Sequence, residues 1–539
     1  MPLDNPQARL DAIFEAWTKP GSPGAGVAVV QGGRVVAERS YGLANLEHGV
    51  AIGPDTRFHI ASISKTFAAA GILALVRKGK LALDDDASRH IPELKTPAPV
   101  SLRHLLSMTS GLRDSGEMMR LRGVWYRQPR SMQDSLDLLF NQRNLSFPTG
   151  QRFIYTNVNF MLLTRVIERV SGLSFQDFLK AEFLDRLGMA DTFVREDDET
   201  VADRLADAYI PLPDGEYAKG RWSFGFGGAG SMVSTVPDLV TWVEFLRTTP
   251  ALFDAMREPA RPGDGTPVNY GLGFQVRKWR GLWVCGHGGS LPGYKAYAAV
   301  VPEADMGIVL LSNREDAEPD LRVRQIMDAL LADRLPEPHP LEAAKQRAHP
   351  AATEAVNGLY LDPVSGEPMT LTAKDGRIET DKLGIVHGMT PTPDGDAFAD
   401  PWPIMPARIR LEPRGTGRPR VHLWFGGHTG VFDPVEPFAP SVEDLAACAG
   451  AFVSDELDSR LVATVRDEGL HVHFGEPFHA AAGSMVQAVA PDVFWMRITK
   501  PGWKSDHAIR FRRGADGRVA DVVVSSDRLK DVVFRKVPT

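Results

Sequence analysis

Between Pro336 and Pro350 the chain changes character, and that break limits what the whole can fold into. The stretch is proline-rich and polar, as in Pro336-Glu337-Pro338-His339-Pro340, and reads as a linker over 336–352. Ahead of it, helical and β-rich patterns mix; beyond it, short strands and turns follow one another. A chain of 539 residues is also too long for one hydrophobic core, and its length suggests roughly three domains.

In the front part, Leu10, Ile13, Phe14 and Trp17 recur at helical spacing and predict an amphipathic helix over 5–18. Two β-rich runs, Ala25–Val30 and Arg34–Tyr41, are joined by the hairpin signal Gln31-Gly32-Gly33. Helical patterns then dominate at 62–77, 101–108, 131–142, 157–171, 174–186 and 236–248. Strand patterns return at 271–278, 281–285, 293–301 and 306–312, before a charged helix at 319–333. Strands at both ends of a helical block predict an α+β domain over 1–335, with one antiparallel sheet assembled from its two termini.

Beyond the linker, Gly358-Leu359-Tyr360-Leu361-Asp362 and Gly450-Ala451-Phe452-Val453-Ser454-Asp455 open similar β segments. Each meets a turn at a similar distance, Lys374-Asp375-Gly376-Arg377 and Arg466-Asp467-Glu468-Gly469. This degenerate repeat predicts two small antiparallel β-barrels, over 353–437 and 438–539.

Composition removes several function classes. A net charge of −7 argues against nucleic acid, whose phosphates demand a basic face. Cys285 and Cys448 are the only cysteines, too few for a disulfide framework or a cysteine-rich zinc site. His471-Val472-His473 alternates as a strand would, without an acidic ligand pattern, and neither a metal nor a cofactor is expected. No run of 18 apolar residues predicts a membrane span. Met1–Trp17 carries Asp4, Asp11 and Glu15 and no apolar signal core, so a cytoplasmic location is expected.

Chemistry concentrates in three places. In Phe58-His59-Ile60-Ala61-Ser62-Ile63-Ser64-Lys65 an extended run meets a helix at Ser62, and Lys65 follows three residues on. Side chains so spaced lie on one helical face about 5–6 Å apart, where an amine can take a hydroxyl proton. Ser62 would equally serve as a helix N-cap, although a full capping box would want Glu or Gln where Lys65 stands. Tyr155-Thr156-Asn157 precedes the apolar helix at Val158; alone, such a triplet packs a ring and caps a helix. His287-Gly288-Gly289-Ser290 ends a β-rich run, and its glycines mark either a bulge or an edge along which substrate lies.

In this order, Ser-x-x-Lys, Tyr-x-Asn and His-Gly-Gly resemble the penicillin-recognising serine hydrolases: class C β-lactamases, D-alanyl-D-alanine peptidases, esterases and D-aminopeptidases. Asp55-Thr56-Arg57-Phe58, Leu105-Leu106-Ser107-Met108-Thr109-Ser110-Gly111-Leu112 and Leu187-Gly188-Met189 are similar as well. A catalytic domain followed by two β-barrels, with His287 where the peptidases mostly carry Lys, is most similar to the serine D-aminopeptidases. The resemblance implies a β-lactamase/DD-peptidase-like fold and an acyl-enzyme on Ser62. It assigns Lys65 as base, alone or with Tyr155 as phenolate, and Tyr155 as proton donor to the leaving amine. Asn157 would orient the Lys65 amine and the substrate amide, and His287, tunable near neutrality, would tune Tyr155 and contact the leaving part. The oxyanion hole falls to the backbone N–H groups of Ser62 and Ser290. In that group a loop of the last barrel holds the substrate's free amine; the matching stretch, 499–506, is short and basic, with Asp506 its acidic candidate. The implied substrates are small peptides, amides or esters with an N-terminal D-residue, β-lactams are the implied inhibitors, and a homodimer is implied. A carboxylesterase on the same scaffold is the second reading, and a non-catalytic binder of D-amino-acid or β-lactam compounds the third.

Overall fold

Strand β1 (Ala25–Gln31) is buried on both faces, and its continuous apolar sequence is the reason. It pairs with β2 (Arg34–Tyr41) on one side. The sheet continues with β3 (Gln275–Trp279), β4 (Leu282–Leu291), β5 (Tyr294–Val301) and β6 (Met306–Ser312), in the order β3-β4-β5-β6-β1-β2. The N-terminal hairpin thus completes a meander from the far end of the domain: Val27 lies opposite Leu310 across the β1–β6 seam, antiparallel throughout. A computed structural model describes residues 5–124, 128–197, 199–337, 354–392, 395, 397–415, 417–467, 469–475, 483–500 and 503–537.

Helices cover both faces of the sheet. On one, α1 (Pro6–Phe14) sets Leu10 and Phe14 against Val27, Val29 and the apolar stripe Val323, Ile326 and Met327 of the helix Pro319–Leu330. On the other lies the helical block with α2 (Ser64–Arg77) and α3 (Asn157–Ser171), joined by the helix Val236–Arg247. Phe67 stacks on Trp242 with ring centroids 3.9 Å apart, and the Trp242 indole donates to Thr66 Oγ1 at 2.9 Å. Burying each such side chain stabilises the fold by about 1.5–3 kcal/mol. Helix α2 is thereby fixed along its length, with its N-terminal end at the sheet edge.

The region beyond the helices is all strand. Eight strands, from Gly358–Leu361 to His428–Pro434, close into an antiparallel barrel sealed by the pairing Tyr360↔Pro434. The following unit is a nine-stranded antiparallel sheet whose end strands, Ser484–Met485 and Gln487–Ala490, are separated only by Val486. Its two margins are therefore tied covalently, and the sheet is a nearly closed barrel. The last strand, Val532–Lys536, lies inside this sheet between Gly450–Ser454 and Val519–Ser525. From residue 338 onward the expected linker lies outside the described residues.

Both barrels grip the first domain. Phe153 N donates to Gly426 O at 2.8 Å and Trp424 Nε1 to Asp264 Oδ2 at 3.0 Å. Arg113, its side chain 1% exposed, forms an ion pair with Glu456 of the last barrel. Glu456 also accepts from Asn144 Nδ2 at 2.9 Å. No described helix is long and apolar enough to cross a membrane.

Candidate active site

The turn bearing Ser62 is held under strain at a fixed place. Phe58–His59 pairs with Met232–Ser234, Ile60 N donates to Met232 O at 3.0 Å, and Ala61 adopts φ 47°. A left-handed alanine costs about 1–2 kcal/mol, and such strain survives only where the surroundings over-determine it. Ser64 Oγ supplies part of that support, donating to Ala61 O at 2.6 Å and accepting from Met232 N at 3.2 Å. One 3₁₀ turn, Ala61–Ile63, then feeds α2, leaving Ser62 partly exposed and Lys65 fully buried one turn on.

The Lys65 Nζ contacts Ser62 Oγ at 3.1 Å, Asn157 Oδ1 at 2.8 Å and Ala229 O at 2.6 Å. Burial holds its amine well below the ordinary lysine value; the Arg528 guanidinium adds to this and Asp114 opposes it. The Tyr155 hydroxyl also bonds Ser62, and its ring centroid lies 4.9 Å from Lys65 Nζ. Burial pushes the Tyr155 phenol well above its ordinary value, an effect that the Ser62 bond and Arg528 offset only in part. Ser62 Oγ therefore faces an amine that burial makes easier to deprotonate and a phenol that burial makes harder to ionise. Of the two bases that the resemblance offers, the lysine amine suits this environment and a phenolate does not.

Asn157 opens α3, and its backbone N donates to Asp114 Oδ2 at 2.9 Å. Thr156 Oγ1 reaches the same oxygen at 3.1 Å. Asp114 also caps the short helix Ser115–Leu121 through Gly116 N and Glu117 N. One buried carboxylate thus receives two helix starts, as the positive end of a helix favours. It escaped the sequence reading, although Asp114-Ser115-Gly116-Glu117 has the capping signature of Asp followed three residues on by Glu.

His287 departs from its expected behaviour. It is 1% exposed, with Nδ1 2.6 Å from Gly288 O and Nε2 3.1 Å from Tyr270 Oη. The carbonyl only accepts, so the proton belongs on Nδ1 and Tyr270 donates to Nε2. Burial, then Lys65 and Arg277, hold the imidazole well below its ordinary value against the pull of the Gly288 carbonyl. It stays neutral through the physiological range, which corrects the expectation of a group titrating near neutrality. Its ring is 6.0 Å from that of Tyr155, and Tyr270 stands edge-on to both. Tyr270 is a fully buried supporting residue that no local pattern announced.

Strand β4 brings the second backbone donor near. A Cβ at Gly289 would lie 2.2 Å from Ile60 O, so the strand runs directly against the Ser62 turn. Pairing with β3 stops at Gly286, leaving one edge of 287–291 without a strand partner among the described residues. Ser290 is exposed there, its Oγ accepting from Lys295 Nζ at 2.7 Å, with Lys295 in turn 2.7 Å from Glu315 Oε1.

Asp506 does not join this group. It lies in the strand Trp503–Arg513, registered with Arg497 and 3.2 Å from its Nε, and packs against Gly384 of the first barrel. The expected loop 499–506 is the end of a tight hairpin, paired to Lys500↔Trp503, with residues 501–502 outside the described residues. Strand alternation turns Asp506 to the junction between the barrels, while its neighbour His507 approaches Glu117 of the first domain at 3.5 Å. The last barrel reaches the catalytic group by another route, the turn 526–531. There Arg528 Cζ stands 5.3 Å from the Tyr155 ring centroid, and Arg528 O accepts from Asp114 N at 3.4 Å. Among the described residues no cluster of three or more His, Cys, Asp or Glu side chains is placed to hold a metal ion.

Comparison with known proteins agrees with this layout. The Beta-lactamase family matches residues 10–333. The D-aminopeptidase of Cereibacter sphaeroides (strain ATCC 17029 / ATH 2.4.9) is 27% identical over 511 residues, 92% of each chain. The D-aminopeptidase of Gluconobacter oxydans (strain 621H) is 26% identical over 556 residues, 99% of this chain and 100% of that one. Among solved structures, the octameric penicillin-binding protein homologue from Pyrococcus abyssi shares the fold, with TM-score 0.56 and 21% identity, covering 79% of this chain and 99% of that chain.

Proposed function

The chain belongs to the beta-lactamase family, and on that premise we propose that it is a serine hydrolase releasing N-terminal D-amino acids from peptides or amides through an acyl-enzyme. The observation that carries the reading is the buried Lys65 Nζ, 3.1 Å from Ser62 Oγ. The D-aminopeptidases that align over nearly the whole chain, barrels included, support the choice of substrate.

In this mechanism the Ser62 hydroxyl gives its proton to the neutral Lys65 amine as Oγ attacks the carbonyl. The developing oxyanion is received by the backbone N–H groups of Ser62 and Ser290, each such donor typically giving about 10²–10³ in rate. The Tyr155 hydroxyl protonates the departing nitrogen, and the neighbouring Lys65 gives its extra proton to the Tyr155 oxygen, which leaves both neutral beside the ester. Water then attacks the ester, and the same groups pass its proton back to Ser62 Oγ. Asn157 Oδ1 keeps the Lys65 amine aimed, and neutral His287 with Tyr270 forms the wall behind Tyr155.

The test compares D-alanine p-nitroanilide, its L form and p-nitrophenyl butyrate, with the parent and Ser62→Ala. Turnover of the D-anilide that Ser62→Ala abolishes is expected. Equal turnover by Ser62→Ala, or turnover of the ester alone, overturns the reading. The ester outcome has its own support, because Asp506 is engaged by Arg497 and does not offer itself to a substrate amine.

A further inference from the structure

Resting on the function proposed above, the geometry points to Arg528 as the binding site for a carboxylate on the leaving group. We propose that the preferred substrates are those whose departing amine is itself an amino acid or peptide with a free carboxylate. Arg528 belongs to the turn between the last two strands of the terminal barrel, yet its guanidinium stands 5.3 Å from the ring centroid of Tyr155. Tyr155 in turn interacts with Ser62 and is the proton donor to the leaving nitrogen in the mechanism above, so the cation stands beside that donor. In an amino-acid leaving group, the carboxylate is two bonds from that nitrogen.

The Nη side of the guanidinium is the place such a ligand would take, although Asp527, Asp114 and Glu117 already stand near the cation. Its side chain is 40% exposed, and Asp527 Oδ2 occupies only the Nε edge, at 3.3 Å. No described residue hydrogen-bonds either Nη. Of the other acids nearby, Asp114 accepts from two helix starts and Glu117 pairs with Arg120, and both act on the guanidinium through space. Lys65, the neighbouring cation, spends its amine on Ser62, Asn157 and Ala229. A planar fork with two open N–H groups matches a carboxylate in a way a lysine would not.

The turn is also built to hold its position. Ser526 N donates to Leu529 O at 2.7 Å, Lys530 N to Ser146 Oγ at 3.3 Å, and Asp114 N to Arg528 O at 3.4 Å. Leu529 is fully buried as an anchor.

The experiment measures kcat/KM for D-alanyl-glycine and D-alanyl-glycinamide, which differ only in the carboxylate. The parent is expected to favour the acid by about tenfold or more, the range of a charge-assisted hydrogen bond. Arg528→Gln should lower the acid's kcat/KM about fivefold or more relative to the amide's, chiefly through KM. Arg528→Lys should fall between, and it decides the matter if the Gln variant does not fold. An acid-to-amide ratio near one in the parent, or the same ratio in both variants as in the parent, overturns the proposal. Failure to turn over either dipeptide, together with no labelling of Ser62 by a fluorophosphonate, overturns the hydrolase reading itself. Calorimetry of D-alanyl-glycine on Ser62→Ala gives a second readout: weaker binding of the acid when Arg528→Gln is added is expected, and unchanged binding counts against the site.

Discussion

Gly289 lies so close to Ile60 that a Cβ there would stand 2.2 Å from the Ile60 carbonyl oxygen. This contact sets β4 against the strained turn that carries Ser62, and so fixes the nucleophile and the Ser290 N–H relative to each other.

Gly289→Ala therefore has to push the strand and the turn apart. A displacement of about 1 Å at a reacting group costs on the order of 10² in rate. Fluorophosphonate labelling of Ser62 should slow by about that factor while circular dichroism of the barrels is unchanged. Labelling at the parental rate would show that the two segments move independently.

The acid limb of activity should belong to Lys65. Its amine must be free to accept a proton, so kcat/KM rises with pH through a value below the ordinary lysine range and then levels. Tyr155, held high by burial, should bring no alkaline fall in the same range. His287→Gln should lower the rate without moving the limb, because the imidazole is already neutral. A limb near neutrality that vanishes in His287→Gln would contradict this assignment.

Asp114 joins the start of α3 to the start of the helix Ser115–Leu121. Removing a cap costs about 0.5–2 kcal/mol at each helix, so Asp114→Ala should lower stability by roughly 2 kcal/mol in denaturant unfolding. Asp114→Asn keeps an acceptor and should lose less. It also removes a negative charge that raises the Lys65 pKa, so its acid limb should move to lower pH. A limb displaced upward would be inconsistent with that sign.

The Arg113–Glu456 pair crosses from the first domain to the last barrel. Glu456→Ala leaves a guanidinium buried without its charge partner, which typically costs about 3–5 kcal/mol. Limited proteolysis should then release the terminal barrel, and turnover of the D-anilide should fall with it. A protease pattern and melting curve like the parent's would mean that the barrels dock by other contacts.

The parts legible in the sequence were those written over short spans. Ser62 and Lys65 are one helical turn apart, Tyr155 and Asn157 bracket a helix start, and the strand patterns of 353–539 alternate with their turns. Tyr270 and Arg528 were not legible, because each acquires its neighbours only when distant segments dock, and Asp114 was legible as a cap of its own helix but not as the partner of Asn157. Asp506 shows the converse: proximity in the chain to an expected loop says nothing once strand alternation turns the side chain towards Arg497 and Gly384. His287 was found, but its charge state depends on burial and on Tyr270, neither of which a run of glycines reveals.

The terminal sheet cannot be sealed until Val532–Lys536 slips between Gly450–Ser454 and Val519–Ser525. Arg528 sits in the turn just ahead of that strand, so its place beside Tyr155 depends on the last strand being seated. A C-terminally clipped chain would thus keep the Ser62–Lys65 pair yet lose the wall that Arg528 adds beside Tyr155.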